Sequence, residues 1–274
     1  MKLNKKYSFS DGNQLWRIIP DEKDKLLIET RDIEKKEVFF NYLHIETGKK
    51  IFYGFQLEEK FWIGIEAIRG NLIIFHKFAK PDMPGHKGII VYDTADLKVA
   101  WETDEYAFLF STPEKVYCFK QKFEGRDFLA LDINTGKIEE NLGNDFKKVN
   151  LLRQKAEEAK DYSSYKFPEI FEENITDLKI SENISKIING AEKEGPVEFI
   201  KYDEHLFLNY HLNKGSSGLR NIFKVVELQS SREIKNLILN NNVNAYAPDS
   251  FFIKDDLLFT LVEKTELVVY KLES

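Results

Sequence analysis

The chain holds a single cysteine in 274 residues, Cys118, so no disulfide can form within it. It lies in Lys-Val-Tyr-Cys-Phe-Lys, a strand-like run in which a free thiol is expected to be buried and inert. Long apolar runs are also missing. No segment reaches the roughly 18 uninterrupted apolar residues of a membrane-spanning helix, so no membrane partner is expected. The start of the chain, Met-Lys-Leu-Asn-Lys-Lys-Tyr-Ser-Phe-Ser, has basic residues with no apolar stretch behind them, which argues against a secretory leader. A cytoplasmic protein is the expectation. Positive charge is in short supply too: 40 Lys and Arg face 46 Asp and Glu, a net charge of −6. Duplex binding needs clustered cations that displace counterions from phosphates, and here the lysines are interspersed with acids, so nucleic acid is not an expected partner. Gly-rich phosphate loops, nucleophile elbows, HExxH and paired-cysteine motifs are absent, and no cofactor is expected.

What is present is ordinary globular material with a β bias. Hydrophobic residues make up 42% and charged residues 31%, a balance that favours a packed core over disorder. Aromatics reach 14%, with 22 Phe and 12 Tyr, and such side chains suit pleated, half-buried surfaces.

A strand pattern recurs along the chain. The turn Ser10-Asp11-Gly12-Asn13 leads into a strand carrying Trp16. Strands follow over Lys25–Asp32 and Glu37–Ile45, then a turn, Glu46-Thr47-Gly48-Lys49, and a strand from Lys50 to Phe55. The order returns with Phe61–Ala67, Asn71–Phe78, Gly88–Asp93, a turn at Thr94–Lys98, and Val99–Trp101. A third copy has Val116–Lys120, Asp127–Asp132, the turn Asn134-Thr135-Gly136-Lys137, and Ile138. Looser copies cover Leu206–His211, Asn221–Leu228, Ser250–Ile253, Asp256–Val262 and Glu266–Leu272. A period of about 40 to 50 residues falls in the range of four-stranded propeller blades. Each unit alone would expose sheet edges, and ring closure would cover them. The expected fold is therefore mainly β: a β-propeller of about five blades, one domain over 1–274, its N- and C-terminal strands sharing a blade.

Between the third and fourth units, residues 144–195 break the pattern as a helical insertion. Asn144 to Tyr162 reads as a helix capped by Asn144 or Asp145, with Phe146, Val149, Leu152, Ala156 and Ala159 as its apolar stripe. Ser181 is expected to cap a short helix bearing Ile184, Ile187 and Ile188, ended by Gly190. This insertion reads as rim packing, or else as a lid or partner-binding element.

The loop Phe78 to Gly88 is the one copy braced by two prolines, Pro81 and Pro84, and it carries Asp82, His86 and Lys87 just after His76. His86 suits general-base or donor roles near neutral pH, and Lys87 suits an anionic group. The same loop also reads as a rigid hairpin turn whose charges face water. His76, Asp82 and His86 are competent metal ligands, but their spacing matches no established zinc or calcium pattern, so no metal is expected. Glu29 and Arg31 share one strand face, opposite Asp32, and Glu66 is a carboxylate inside an apolar strand. Each of these is read either as a satisfied structural charge or as a ligand contact.

The turns at 132 to 137, 44 to 49 and 93 to 98, with Trp16 and Trp101 nearby, resemble those of quinoprotein-type propeller repeats. No quinone-cofactor pocket matches. Leu-Ile-Glu-Thr-Arg-Asp at 27 to 32, Trp-Ile-Gly-Ile-Glu at 62 to 66, Pro-Asp-Met-Pro-Gly-His-Lys-Gly-Ile at 81 to 89 and Phe-Pro-Glu-Ile-Phe at 167 to 171 are similar to blocks of an uncharacterised bacterial family, a domain of unknown function. That likeness runs from end to end and implies no activity.

Two functions remain in view. The first is a cytoplasmic propeller that binds a protein or peptide. The second is a small-ligand-binding protein or hydrolase-like enzyme using Glu29, Arg31, Glu66, His76, Asp82, His86 and Lys87 at a channel mouth. Convergence of Glu66, Arg31 and His86 in one pocket would favour the second.

Overall fold

The computed structural model describes residues 1–21, 23–79, 85–172 and 177–273. Short apolar runs rich in β-branched and aromatic side chains, bounded by turn residues, form strands over most of them, and the protein is mainly β. The first strand, β1 (Lys2–Phe9), is followed by β2 (Gln14–Pro20), β3 (Lys25–Asp32), β4 (Glu37–His44) and β5 (Lys50–Phe55), which hydrogen-bond in chain order. Next come β6 (Ile63–Arg69), β7 (Leu72–Phe78), β8 (His86–Asp93) and β9 (Lys98–Thr103), an antiparallel meander. A third meander has β10 (Ala107–Ser111), β11 (Lys115–Lys122), β12 (Gly125–Asp132) and β13 (Ile138–Gly143), and one parallel bridge, Ala107 to Gly88, joins it to the second.

The insertion contains α1 (Phe146–Glu158), β14 (Tyr165–Lys166), β15 (Glu169–Ile170) and α2 (Leu178–Ile188). Beyond it, β16 (Lys193–Tyr202), β17 (His205–Asn213), β18 (Leu219–Glu227) and β19 (Glu233–Val243) form a meander with β15 at its edge. The last strands are β20 (Phe251–Lys254), β21 (Leu257–Val262) and β22 (Glu266–Glu273). The N-terminal β1 pairs with β22, so both chain ends sit in one sheet, with β14 at its far edge.

Two compact units emerge: Met1–Ile18, Tyr42–Phe52 and Tyr162–Ser274 in one, Ile19–Asn41 and Tyr53–Asp161 in the other. In the first unit, alternation along β17 divides the core. Leu206, Leu208 and Tyr210 face Ile180 and Ile184 of α2, while Phe207 faces Phe223, Phe251 and Leu258. In the second unit, Val116 and Cys118 of β11 pack with Ile74, Ile89 and Leu131, and Tyr117 turns the other way toward Phe128 and Val149 of α1. Burial pushes the Cys118 thiol up to about 12, which keeps it protonated and unreactive.

The first helix starts at one of its two expected caps, whereas the second starts ahead of the expected one. Asp145 caps α1 by accepting from the Lys148 N–H, but Phe146 is exposed, so the buried stripe begins at Val149. The second helix starts before Ser181, because Asp177 accepts from the Lys179 and Ile180 N–H groups and so satisfies the first free donors.

The recurring Thr-Gly-Lys turns have a packing reason. Gly136 has φ +68° and lies so close under the Trp101 indole that a Cβ would sit 2.7 Å from the ring, while Trp101 Nε1–H donates to the Ile133 carbonyl at 2.8 Å. Gly48 repeats the arrangement at φ +67° beneath Tyr7, whose hydroxyl donates to the Ile45 carbonyl at 2.5 Å. An aromatic from one meander thus clamps a turn of another, in two separate places.

Candidate functional site

Irregularities in two ladders bring three ionisable side chains together. In the β6–β7 pair, Ile65 faces Phe75 but Ala67 faces Ile74, which leaves Glu66 as the extra residue of a bulge. In the β7–β8 pair the register shifts between Phe75 and Lys77, and Gly88 takes φ +71° there. A Cβ on Gly88 would meet Asp104 Oδ1 at 3.0 Å and the Thr103 carbonyl at 3.1 Å, so glycine is needed for space as well as conformation. Bulges re-aim side chains, and here they turn Glu66 and His76 toward His86.

A single carboxylate oxygen, Glu66 Oε1, lies 2.9 Å from His76 Nδ1 and 2.7 Å from His86 Nδ1. The imidazoles are stacked, their centroids 3.5 Å apart and their planes 8° from parallel. Burial is graded across the group: the side chains of His76, Glu66 and His86 are 2%, 13% and 40% exposed. Phe78 presents its ring edge-on to both imidazoles at 5.1 and 5.8 Å, and Trp62 packs edge-on against Phe78. Gly64, directly across from His76 in the ladder, leaves room for its ring.

His86 and Lys87 belong to β8 rather than to a loop, because the hairpin continues through Phe78–His86 and Lys77–Lys87 pairs. Alternation puts Lys87 on the face away from His86, so it does not join the cluster. Arg31 does not converge on His86 either, so the expected grouping of Glu66, Arg31 and His86 in one pocket does not form, and His76 takes the third place beside Glu66 and His86. Its guanidinium meets Glu29 Oε1 at 2.6 and 2.7 Å, and donates to the carbonyls of Phe61 at 3.2 Å and Ile63 at 2.9 Å. The pair is buried and anchors the start of the strand that carries Gly64 and Glu66. Asp82 lies outside the described residues.

Clefts lie elsewhere in the same unit. One of about 620 Å³ is lined by Lys23, Arg69, Thr112, Leu152 and Lys155, and another of about 470 Å³ by Glu59, Lys77, Ile90 and Glu102. The titratable cluster is instead open to solvent at His86.

Sequence reasoning missed the residues that shape the cluster: Gly64, Gly88, Phe78 and Trp62. A glycine inside the apolar run Trp-Ile-Gly-Ile was the available signal for a close approach. It also missed a buried polar row in the other unit. There Glu198 accepts from Asn209 Nδ2 at 2.8 Å and from the Asp249 N–H at 3.1 Å. His211 Nε2 accepts from the Ala247 N–H at 3.3 Å, beside the Tyr246 ring. Burial lowers the His211 pKa, with Lys264 adding to the effect, so the neutral ring is favoured.

A family model described as a domain of unknown function, DUF4905, matches residues 19–101. That is under a third of the chain, yet it spans every candidate from Glu29 to Lys87. No curated protein matches. Among solved structures, the uncharacterized protein lmo1340 from Listeria monocytogenes EGD-e shares 10% identity over 95% of this chain and 95% of its own, with a TM-score of 0.36. The β-propeller domain of the Trilobed protease from Pyrococcus furiosus shares 10% over 97% of this chain and 70% of its own, at 0.33. Hsv2 from Kluyveromyces lactis shares 13% over 93% of this chain, which spans 61% of the Hsv2 chain, at 0.31. At such scores these likenesses decide neither fold nor function. Among the described residues, no helix is long and apolar enough to cross a membrane.

Proposed function

We propose that the chain is a cytoplasmic β-propeller of about five blades that binds a small, hydroxyl-rich, sugar-like ligand at Glu66, His76 and His86. The observation that carries the binding reading is the single Glu66 oxygen within 3 Å of both imidazoles, 2.9 and 2.7 Å, at a position open to solvent. The ring arrangement draws support from the successive four-stranded meanders, the β1–β22 pairing of the chain ends, and the two aromatic clamps at Gly136 and Gly48. A carboxylate facing Nδ1 of His86 holds the proton there and leaves Nε2 as the acceptor for a ligand hydroxyl. Phe78 and Trp62 supply apolar ring surface beside it.

The test is a panel of monosaccharides and short oligosaccharides, read by thermal shift and by the imidazole carbon–proton resonances. A genuine ligand should raise the melting temperature and move the His86 resonance, and both effects should vanish in Glu66→Gln and His86→Ala. A ligand that stabilises both variants as well as the parent protein would refute the site.

A protein partner is the second reading, favoured by the exposed apolar residues Phe167, Ile170 and Leu178 in the insertion. Cross-linking in cell extract should then give an adduct that the Ile170→Lys, Leu178→Lys double variant loses.

A further inference from the structure

We propose that Glu66, His76 and His86 form a site for a divalent first-row transition-metal ion of the zinc type, an inference that rests on reading the cluster as a ligand site. Their donor atoms all lie within 4.8 Å of one another, so a side-chain rotation can gather them round one small cation. Two imidazoles and one carboxylate are the donors such ions take at about 2.0–2.2 Å, whereas calcium and magnesium take oxygen shells. Three protein ligands leave at least one coordination position for water or substrate, the arrangement of a metal site open to chemistry. The graded burial suits this: His76 is the fixed inner ligand, Glu66 is central, and His86 is at the lip.

The stacking of the rings sets a condition. A metal bound at an imidazole nitrogen lies near that ring's plane, and two parallel rings 3.5 Å apart cannot both meet it. One ring must turn. His76 is confined by Gly64 on one side and the Phe78 edge on another, with Gly64 Cα so near that even a methyl would sit 2.8 Å from Cε1. His86, 40% exposed, is the ring that swings. Metal binding at the nitrogens near Glu66 therefore unstacks the pair and releases their Nδ1 protons to solvent.

The chain has five histidines, which makes the experiment readable residue by residue: His44, His76, His86, His205 and His211. Zinc is titrated into the full chain by calorimetry, with imidazole carbon–proton spectra alongside and cobalt(II) absorption as a report on ligand geometry. The expected result is one bound equivalent, displacement of the His76 and His86 resonances alone, loss of their mutual ring-current shift, and visible cobalt bands. Magnesium should do nothing. Glu66→Gln and His86→Ala should each weaken zinc by at least about 100-fold, beyond the 10–100-fold typical of outer-shell partners. His86 is at the surface, so circular dichroism of His86→Ala should match the parent protein.

Zinc affinity unchanged in both variants, or displacement of His44, His205 or His211 in place of the pair, overturns the proposal. If millimolar zinc leaves His76 and His86 unmoved while a saccharide still moves His86, the metal assignment falls and the ligand site stands. If neither moves them, both fall.

Discussion

Replacing Gly64 with alanine tests the architecture of the cluster directly. The added methyl would lie 2.8 Å from His76 Cε1 and 3.0 Å from Nε2. Carbon contacts are optimal at about 3.5–4.0 Å, so the ring must retreat by roughly 0.5 Å or more. His76 is buried, with Phe78 beside it and His86 stacked on it, so the displacement passes to His86 and to the Glu66 contact. Overpacking of this kind costs about 1–3 kcal/mol. Alanine also restricts the unfolded chain, which returns about 0.4–1 kcal/mol because Gly64 does not need a positive φ. The net expectation is a loss of roughly 0–2.6 kcal/mol in urea unfolding, with a shifted His76 resonance and a weaker zinc complex. Unfolding as stable as the parent protein's, with both imidazole resonances in place, would refute the packing argument.

Removing the Arg31 cation with Arg31→Met should cost about 3–5 kcal/mol, because the buried Glu29 carboxylate loses the Arg31 guanidinium; denaturant unfolding measures it, and a loss below about 1 kcal/mol would contradict the geometry. Trp101→Phe keeps the ring over Gly136 but forfeits the 2.8 Å bond to the Ile133 carbonyl, so a loss near 1 kcal/mol is expected, and none if the indole N–H is solvated instead. His211 titrates below its ordinary value because it is buried, so the unfolded chain binds the extra proton first as the pH falls. Stability should be full above the ordinary imidazole pKa and decline as pH falls toward the lowered folded value, by at most about 1.4 kcal/mol per pH unit from this group. His211→Gln should flatten that decline in urea melts between neutral and mildly acidic pH, and an unchanged slope would assign it to other groups.

Much of the strand pattern was legible because short apolar runs with β-branched and aromatic residues, and the Gly-containing turns between them, are local properties. Lys25–Asp32 and the turn at Gly136 fall where those signals put them. Strands rich in charge were not legible. Lys2–Phe9 carries three lysines, and Lys193–Tyr202 two lysines and two glutamates, so pairing with β22 and β17 rather than an apolar pattern makes them strands. Capping by Asp177 was likewise masked by Ser181, an equally good cap type three residues inside the helix.

For the candidate site, the sequence by itself determined the chemical inventory: a carboxylate in an apolar strand, two histidines ten residues apart, and glycines where the backbone must come close. It also determined that Glu29 and Arg31 share a strand face, and the structure makes them a buried ion pair. Only the tertiary structure decided which of these groups meet. A regular ladder read from sequence carries no bulge, and one extra residue in a strand changes the direction of every side chain after it. The bulge at Glu66 and the shift opposite His76 are set by packing between strands, so the meeting of Glu66 with two imidazoles was decided there.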